Sequence, residues 1–306
     1  MRGIAGCGFV VMALLLLAAP AKAWNAAGHR IVAALAWRQL PPEVQGKIVA
    51  LLRKHPAYAA AWRQELSEAK EREEEMALFL RAASWSDEVE VPGSPYRHAA
   101  WRFLAHPYVP SRCRSRFHPA DDVRADSLVE QITLRQDSLH NLELPDKERA
   151  ISLCWLIFLT GEAHQPLSCA TLVSPAFPHS DHNGHDFTVR TSRGPVSLHT
   201  FWDSLPGGSA ESDFVHREAT RLGMLYPRTR LPELAAKEPE AWGWESAALA
   251  EKAYRHGALQ GSANPARAPA LPEGYAKEAH ARTDRQLALA AYRLADLLNT
   301  LFPDLP

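Results

Sequence analysis

Apolar residues recur at helical spacing along most of this chain. Ile31, Val32, Leu35 and Trp37 begin an apolar face that stops at Pro41-Pro42, and Pro42 suits the first turn of a second helix reaching about Lys54. Tyr58 to Ala83 reads as a longer helix, whose charge run from Glu65 to Glu75 is a solvated face with i,i+4 pairs. A turn is expected at Pro92 to Pro95, followed by helices over Ala120 to Leu142 and Lys147 to Gln165. The second of these is apolar through its centre and is predicted to be buried. Phe187 to Leu198 alternates around Gly194-Pro195 as a small β-hairpin, while Pro206 to Ser209 and Gly261 to Gly274 read as loops. A long amphipathic helix from about His280 to Phe302 closes the chain, with Leu287, Ala291, Leu294, Leu298 and Leu301 on one face. The pattern predicts a mainly α fold with one minor hairpin.

The N-terminus departs from that pattern. Arg2, the apolar run Phe9 to Ala19 and the triplet Ala21-Lys22-Ala23 have the layout of an export signal with an A-x-A cleavage site. The alternative is an uncleaved anchor, against which the run is short for a membrane span. The reading is therefore a signal peptide over 1–23, one domain over 24–306, Trp24 as the mature N-terminus, and a secreted or periplasmic protein. Length (306 residues) and composition (46% hydrophobic, 23% charged) are those of a globular chain. A formal net charge of -1 excludes a global basic field for polyanions, so any such binding needs a local site. Cys7 leaves with the signal; Cys113, Cys154 and Cys169 allow one disulfide and one free thiol, the pairing being open, and Cys154 also suits a buried small hydrophobe.

A few residues then suggest chemistry. Trp24-Asn25-Ala26-Ala27-Gly28-His29 sets an imidazole five residues from a new α-amine, and amine, carbonyl and imidazole together chelate a borderline metal such as zinc. Asp87, in Ser84-Trp85-Ser86-Asp87, is a carboxylate placed just after a helix, with an N-cap role as the plainer reading. Glu162 lies near the end of the apolar helix and needs a partner there. His199 and Asp203 stand at i,i+4, a spacing that serves one ion or a simple hydrogen-bonded pair.

The order Trp-x4-His, Ser-Trp-x-Asp, Gly-x-x-His-Gln-Pro-Leu and Leu-His-x-x-Trp-Asp resembles the mung-bean-type, or type I, nucleases. The resemblance runs from Trp24 to the C-terminal segment Gln286 to Asn299. These are zinc-dependent single-strand nucleases and 3′-nucleotidases, related in fold to zinc phospholipase C. The resemblance implies a helical fold of that type and a cleft holding up to three zinc ions, two of them a carboxylate-bridged pair. It assigns Trp24 and His29 to one ion, Glu162 to the bridge, Asp87 to the second ion, and His199 and Asp203 to the third. Such a pair generates hydroxide near neutral pH while the third ion neutralises phosphate charge.

Four positions break the family pattern. Glu162 stands where Asp is usual. Phe158, Ser168 and Arg102 replace imidazoles, the last within Trp101-Arg102-Phe103. An arginine cannot ligate a metal but can form a bidentate ion pair with Asp87 or Glu162. The expectation is that the Arg102 guanidinium stands in for the second ion and that Phe158 fills the lost imidazole's space, leaving one or two zincs. Asp87, Glu162 and Arg102 are the candidate catalytic set. The His/Asp cluster Pro178 to Asp186 either supplies replacement ligands from His182, His185 and Asp186 or is a polar loop; His98 and His106 flank Arg102 at the wrong spacing. The functional expectation is a monomeric exported phosphodiesterase acting on single-stranded nucleic acid or nucleotides. The alternatives are an inactive relative that binds nucleotides or nucleic acid, and a phospholipase C-like esterase.

Overall fold

The computed structural model describes residues 24–66, 71–113 and 127–303. The signal-peptide reading of 1–23 lies outside these residues, as do the start of the helix expected from Ala120 and the chain end after Pro303. Among the described residues the fold is mainly α, with two small sheets.

Helix α1 (Ala26–Trp37) is the centre of the fold. Asn25 caps it by accepting the Gly28 amide at 3.0 Å. It is buried nearly all round, because α4 (Glu71–Glu88), α9 (Ser212–Leu225) and α11 (Tyr275–Leu301) pack on different faces of it. The chain passes from α2 (Pro42–Leu52) through a π-helical turn at Tyr58–Trp62 and the short α3 (Arg63–Glu65) before α4, so the expected helix from Tyr58 to Ala83 is divided. Helix α5 (Leu128–His140) packs against α6 (Asp146–Glu162). The α6 segment is buried continuously from Ser152 to Glu162, as its apolar centre predicts.

After α7 (Pro166–Cys169), strand β1 (His106–Tyr108) runs parallel to β2 (Ala170–Leu172), with His106 opposite Ala170. This three-residue pairing was not expected from the sequence, which predicts only the hairpin. It draws the Arg102-Phe103-Leu104 segment alongside α7: the Leu104 amide donates to the Ser168 carbonyl at 2.9 Å. The hairpin itself is β3 (Thr188–Thr191) and β4 (Gly194–Ser197), antiparallel as expected, and it leads into α8 (Leu198–Asp203). Ser197 caps α8 by accepting the Thr200 amide. Helix α10 (Pro239–Ala253) covers α7, and α11 starts five residues earlier than the expected His280.

Cys113, Cys154 and Cys169 are all buried free thiols, so the disulfide allowed by cysteine number does not form. Among the described residues no helix is long and apolar enough to cross a membrane.

Candidate metal centre

The N-terminus of α1, the C-terminal ends of α4 and α6, the 3-10 turn at Ala99–Arg102 and helix α8 meet at one place. Hydrogen bonds stitch the meeting point together. The Trp24 indole N–H donates to the Gly161 carbonyl at 3.1 Å, the Asn25 amide to the Asp203 carbonyl at 3.2 Å, and the Asn25 side chain to the Gly207 carbonyl at 2.6 Å. Trp24 is fully buried. Two glycines make the approach close: a Cβ on Gly28 would lie 2.9 Å from the Trp24 Cβ, and one on Gly161 would lie 2.8 Å from the His29 Nδ1.

His29 and Glu162 face each other at the centre. His29 Nε2 lies 3.0 Å from Glu162 Oε1, both side chains are buried, and neither atom has a hydrogen-bond partner among the described residues. The other carboxylate oxygen of Glu162 accepts from the Ser168 hydroxyl at 3.3 Å. Burial holds His29 down to about 4, with the Asp87 charge opposing and the Arg102 charge adding to the effect. Burial pushes Glu162 up to about 8 against the Arg102 charge and the Ser168 hydrogen bond. The pair on its own is thus an uncharged imidazole and a carboxylic acid rather than an ion pair. A divalent cation reverses that preference, because it takes the lone pairs of a neutral imidazole and an ionised carboxylate. Two buried donor atoms at this separation, each without a hydrogen bond, suit one shared divalent cation.

The second position does not fit an ion. Arg102, 1% exposed, places Nη1 3.0 Å from Asp87 Oδ1, donates from Nη2 to the Ser86 carbonyl at 3.0 Å and sets Nε 3.7 Å from Glu90 Oε2. Its guanidinium lies over the Phe158 ring at 4.6 Å, and that ring stacks on His29 at 4.2 Å. Arg102 thus pairs with Asp87, through one Nη1 contact and not the bidentate fork expected, because Nη2 is taken by the Ser86 carbonyl, and Phe158 fills the space between the guanidinium and the imidazole. Asp87 belongs to the last turn of α4, not to a segment after it, so the N-cap reading is wrong: the helix runs on through Glu88. Glu90, which also meets Arg97 at 2.9 Å, was missed by sequence reasoning, its neighbourhood Asp-Glu-Val-Glu giving no motif signal.

At the third position His199 Nε2 lies 3.5 Å from Asp203 Oδ2, which has no hydrogen-bond partner among the described residues. The His199 Nδ1 bonds the Asn183 carbonyl at 2.7 Å, which fixes Nε2 as the lone-pair nitrogen of the neutral ring. Gln165 bridges the two by donating to Asp203 Oδ1 at 2.8 Å while lying 3.4 Å from His199 Nε2. Burial holds His199 well below its ordinary value, helped by His185 and Arg102, and pushes Asp203 well above the usual carboxylate range. Sequence reasoning quoted Gln165 within the Gly-x-x-His-Gln-Pro-Leu motif but gave it no role; its signal was that motif. His164 of the same motif points elsewhere, its ring bonding Thr160 and Arg293.

The 178–186 cluster acts on the site largely through its backbone. His182, Asn183 and Gly184 take left-handed conformations that turn the Asn183 carbonyl toward His199. His182 and Asp186 pair with each other at the surface, at 2.5 Å. Only His185 of the three reaches the position, its ring 4.0 Å from that of His199 with a buried Nε2 lacking a hydrogen bond. His98 stacks on Trp101 and His106 meets Trp244, and no contact joins either to the candidate ligands among the described residues.

Among the described residues no group of three or more His, Cys, Asp or Glu side chains is arranged to hold a metal ion. Each candidate position offers two such side chains, and the first needs further donors from the main chain. Four carboxylates are buried here: Asp87 and Glu90 meet Arg102, and Glu162 and Asp203 feel its charge. That excess of acidic groups is the environment in which a bound cation is favourable.

No curated protein matches the chain. The S1/P1 Nuclease family matches residues 24–303, from the tryptophan at the head of the site to the end of the last helix. On that match, which takes in every element that builds the site, the chain belongs to the S1/P1 nuclease family.

Proposed function

We propose that the protein is an exported, zinc-dependent nuclease that hydrolyses phosphodiester bonds of single-stranded nucleic acid with fewer zinc ions than its relatives. The observation that carries this reading is the pair His29 Nε2 and Glu162 Oε1, 3.0 Å apart, buried and without hydrogen bonds. Cleavage after Ala23 frees the Trp24 amine, which with its carbonyl completes the donor set that His29 and Glu162 begin. His199 and Asp203 hold a second ion. Zinc bound there supplies Lewis acidity toward a phosphoryl oxygen and lowers the pKa of a coordinated water.

The chain's own residues do the remainder. Asp87 anchors Arg102, and Ser86 and Phe158 fix its plane, so a permanent positive charge sits beside the reacting phosphate without needing a metal. Gln165 holds Asp203, and the Asn183 carbonyl orients His199. Ser168 holds one Glu162 oxygen, leaving the other turned to His29.

An inactive, nucleotide-binding descendant is favoured by one observation, the occupation of the second position by Arg102. The mature chain, expected to be a monomer, separates the two readings. Its zinc content is measured together with hydrolysis of single-stranded DNA, RNA and a phospholipid. Two zincs with turnover of the nucleic acids support the nuclease. One zinc or none without turnover supports the inactive relative, and turnover of the phospholipid alone supports an esterase.

A further inference from the structure

An aromatic wall leads outward from the candidate metal centre. His29 stacks on Phe158, Phe158 meets Trp155 edge-on at 5.9 Å, and Trp155 meets Trp101 edge-on at 5.1 Å. Trp101 stacks on His98 at 3.6 Å with the rings 6° from parallel. At the outer end the guanidinium of Arg135, from α5, lies over the Trp101 ring at 4.7 Å. Trp101 is also the chain neighbour of Arg102, so the wall ties the half-buried Arg135 to the site by packing and by sequence.

Most of the other half-buried arginines meet a carboxylate; Arg30 instead donates to the Ser84 hydroxyl and the Ala210 carbonyl, and Arg282 has no carboxylate partner among the described residues. Arg81 pairs with Glu65 and Glu88, Arg221 with Asp284, Arg228 with Asp296 and Arg285 with Glu233. Arg135 has no carboxylate partner among the described residues, and its buried Nε makes no hydrogen bond. Stacking covers a guanidinium's face and leaves its two terminal Nη groups in the plane, an edge that grips a phosphate bidentately. A partly desolvated cation is costly in a folded protein unless an anion meets it. With a net charge of -1, the chain also needs local cations to hold a polyanion.

We propose that Arg135, laid on Trp101, is a second phosphate subsite that grips the backbone of a single-stranded nucleic acid whose scissile phosphate lies at the metal centre. This rests on the nuclease reading above. The subsite takes a flanking phosphodiester, so it distinguishes a strand from a mononucleotide.

The test uses the mature protein and its Arg135→Gln and Arg135→Lys variants. Binding of a short phosphorothioate oligothymidylate is followed by fluorescence anisotropy across a salt series, and kcat and KM are measured for the unmodified oligothymidylate and for a 3′-mononucleotide. Loss of one phosphate contact lowers the slope of log affinity against log salt by about 0.7 in Arg135→Gln. KM for the oligonucleotide rises about tenfold, which is about 1.4 kcal/mol, while kcat and the mononucleotide kinetics stay unchanged. Arg135→Lys keeps the salt slope and loses part of the affinity. An unchanged slope and KM in a folded Arg135→Gln overturn the proposal. Should that variant fail to fold, Arg135→Lys decides: a raised oligonucleotide KM with unaltered mononucleotide kinetics supports it, and unaltered values for both overturn it. Arg135-dependent binding without hydrolysis refutes the nuclease reading alone; hydrolysis indifferent to Arg135 refutes the subsite alone; neither binding nor hydrolysis refutes both.

Discussion

Replacing Arg102 with glutamine removes the buried cation around which the acidic groups of the site are arranged. The guanidinium reaches Asp87 Oδ1 at 3.0 Å, the Ser86 carbonyl at 3.0 Å, Glu90 Oε2 at 3.7 Å and the Phe158 face at 4.6 Å. Glutamine is shorter, uncharged and has a single amide group, so it keeps at most part of the hydrogen bonding. Breaking a buried ion pair by removing one partner costs about 3–5 kcal/mol, because the other charge stays in a place water does not reach. The Asp87 and Glu90 side chains are both nearly fully buried, so solvent screening offers little relief. For a chain of this size the loss corresponds to a fall in Tm on the order of 10 °C. Denaturant unfolding of the apo protein, followed by tryptophan fluorescence, measures it. The same replacement vacates space beside Asp87 that a cation can use, so added zinc stabilises Arg102→Gln more than it stabilises the parent. Adding Asp87→Asn in the same chain recovers a large part of the lost stability, because the buried carboxylate that Arg102 neutralised is gone. If apo Arg102→Gln unfolds within about 1 kcal/mol of the parent, a margin normal for surface changes, the guanidinium is not the charge that holds this site together.

Three further outcomes are expected. Gly161→Ala puts a Cβ 2.8 Å from His29 Nδ1, and the imidazole, packed on Phe158, has little room to move. Stability falls by about 1–3 kcal/mol and zinc binds more weakly, whereas the helix propensity of alanine alone would raise stability, so a more stable variant contradicts this packing. His55, held down to about 4 by burial between Trp62 and Trp85, is neutral in the native state and protonated in the unfolded chain between pH 6.5 and 4. Its share of stability is full above the unfolded value and falls by about 1.4 kcal/mol per unit as pH drops through that window. His55→Asn retains an acceptor for the Ala57 amide and makes the acid limb of the stability curve shallower; an unchanged limb rejects the assignment. Cys113, Cys154 and Cys169 react with a thiol reagent only in denaturant, and reductant leaves Tm unchanged; a Tm lowered by reductant would reveal a disulfide.

The long helices were legible because apolar residues recur along them at helical spacing. The faces through Ile31 to Trp37 and Leu287 to Leu301 fall within α1 and α11, and the apolar run after Lys147 becomes the buried α6. Two things were not legible. The β1-β2 pairing joins His106–Tyr108 to Ala170–Leu172, across more than sixty residues, and three-residue strands carry no period to read. The helical boundary near Asp87 was placed too early because α4 is charged at its start and weakly amphipathic, so nothing local marks its last turn. At the site, the pairing of Arg102 with Asp87 followed from charge chemistry once both residues were identified. The bridging role of Gln165 and the use of the 178–186 loop through its Asn183 carbonyl depend on backbone geometry, including left-handed residues at His182 and Asn183, which residue types in sequence do not specify.

Trp24, His29 and Glu162 are proposed as one metal site whose α-amine ligand exists only after cleavage. The direct test compares the zinc content of protein beginning at Trp24 with that of protein carrying one extra residue before it, both dialysed against the same buffered zinc. The account predicts that the extended protein lacks one tightly bound zinc and keeps its fold by circular dichroism. Equal zinc content and affinity in the two proteins would contradict it, because the amine of Trp24 would then play no part in holding the ion.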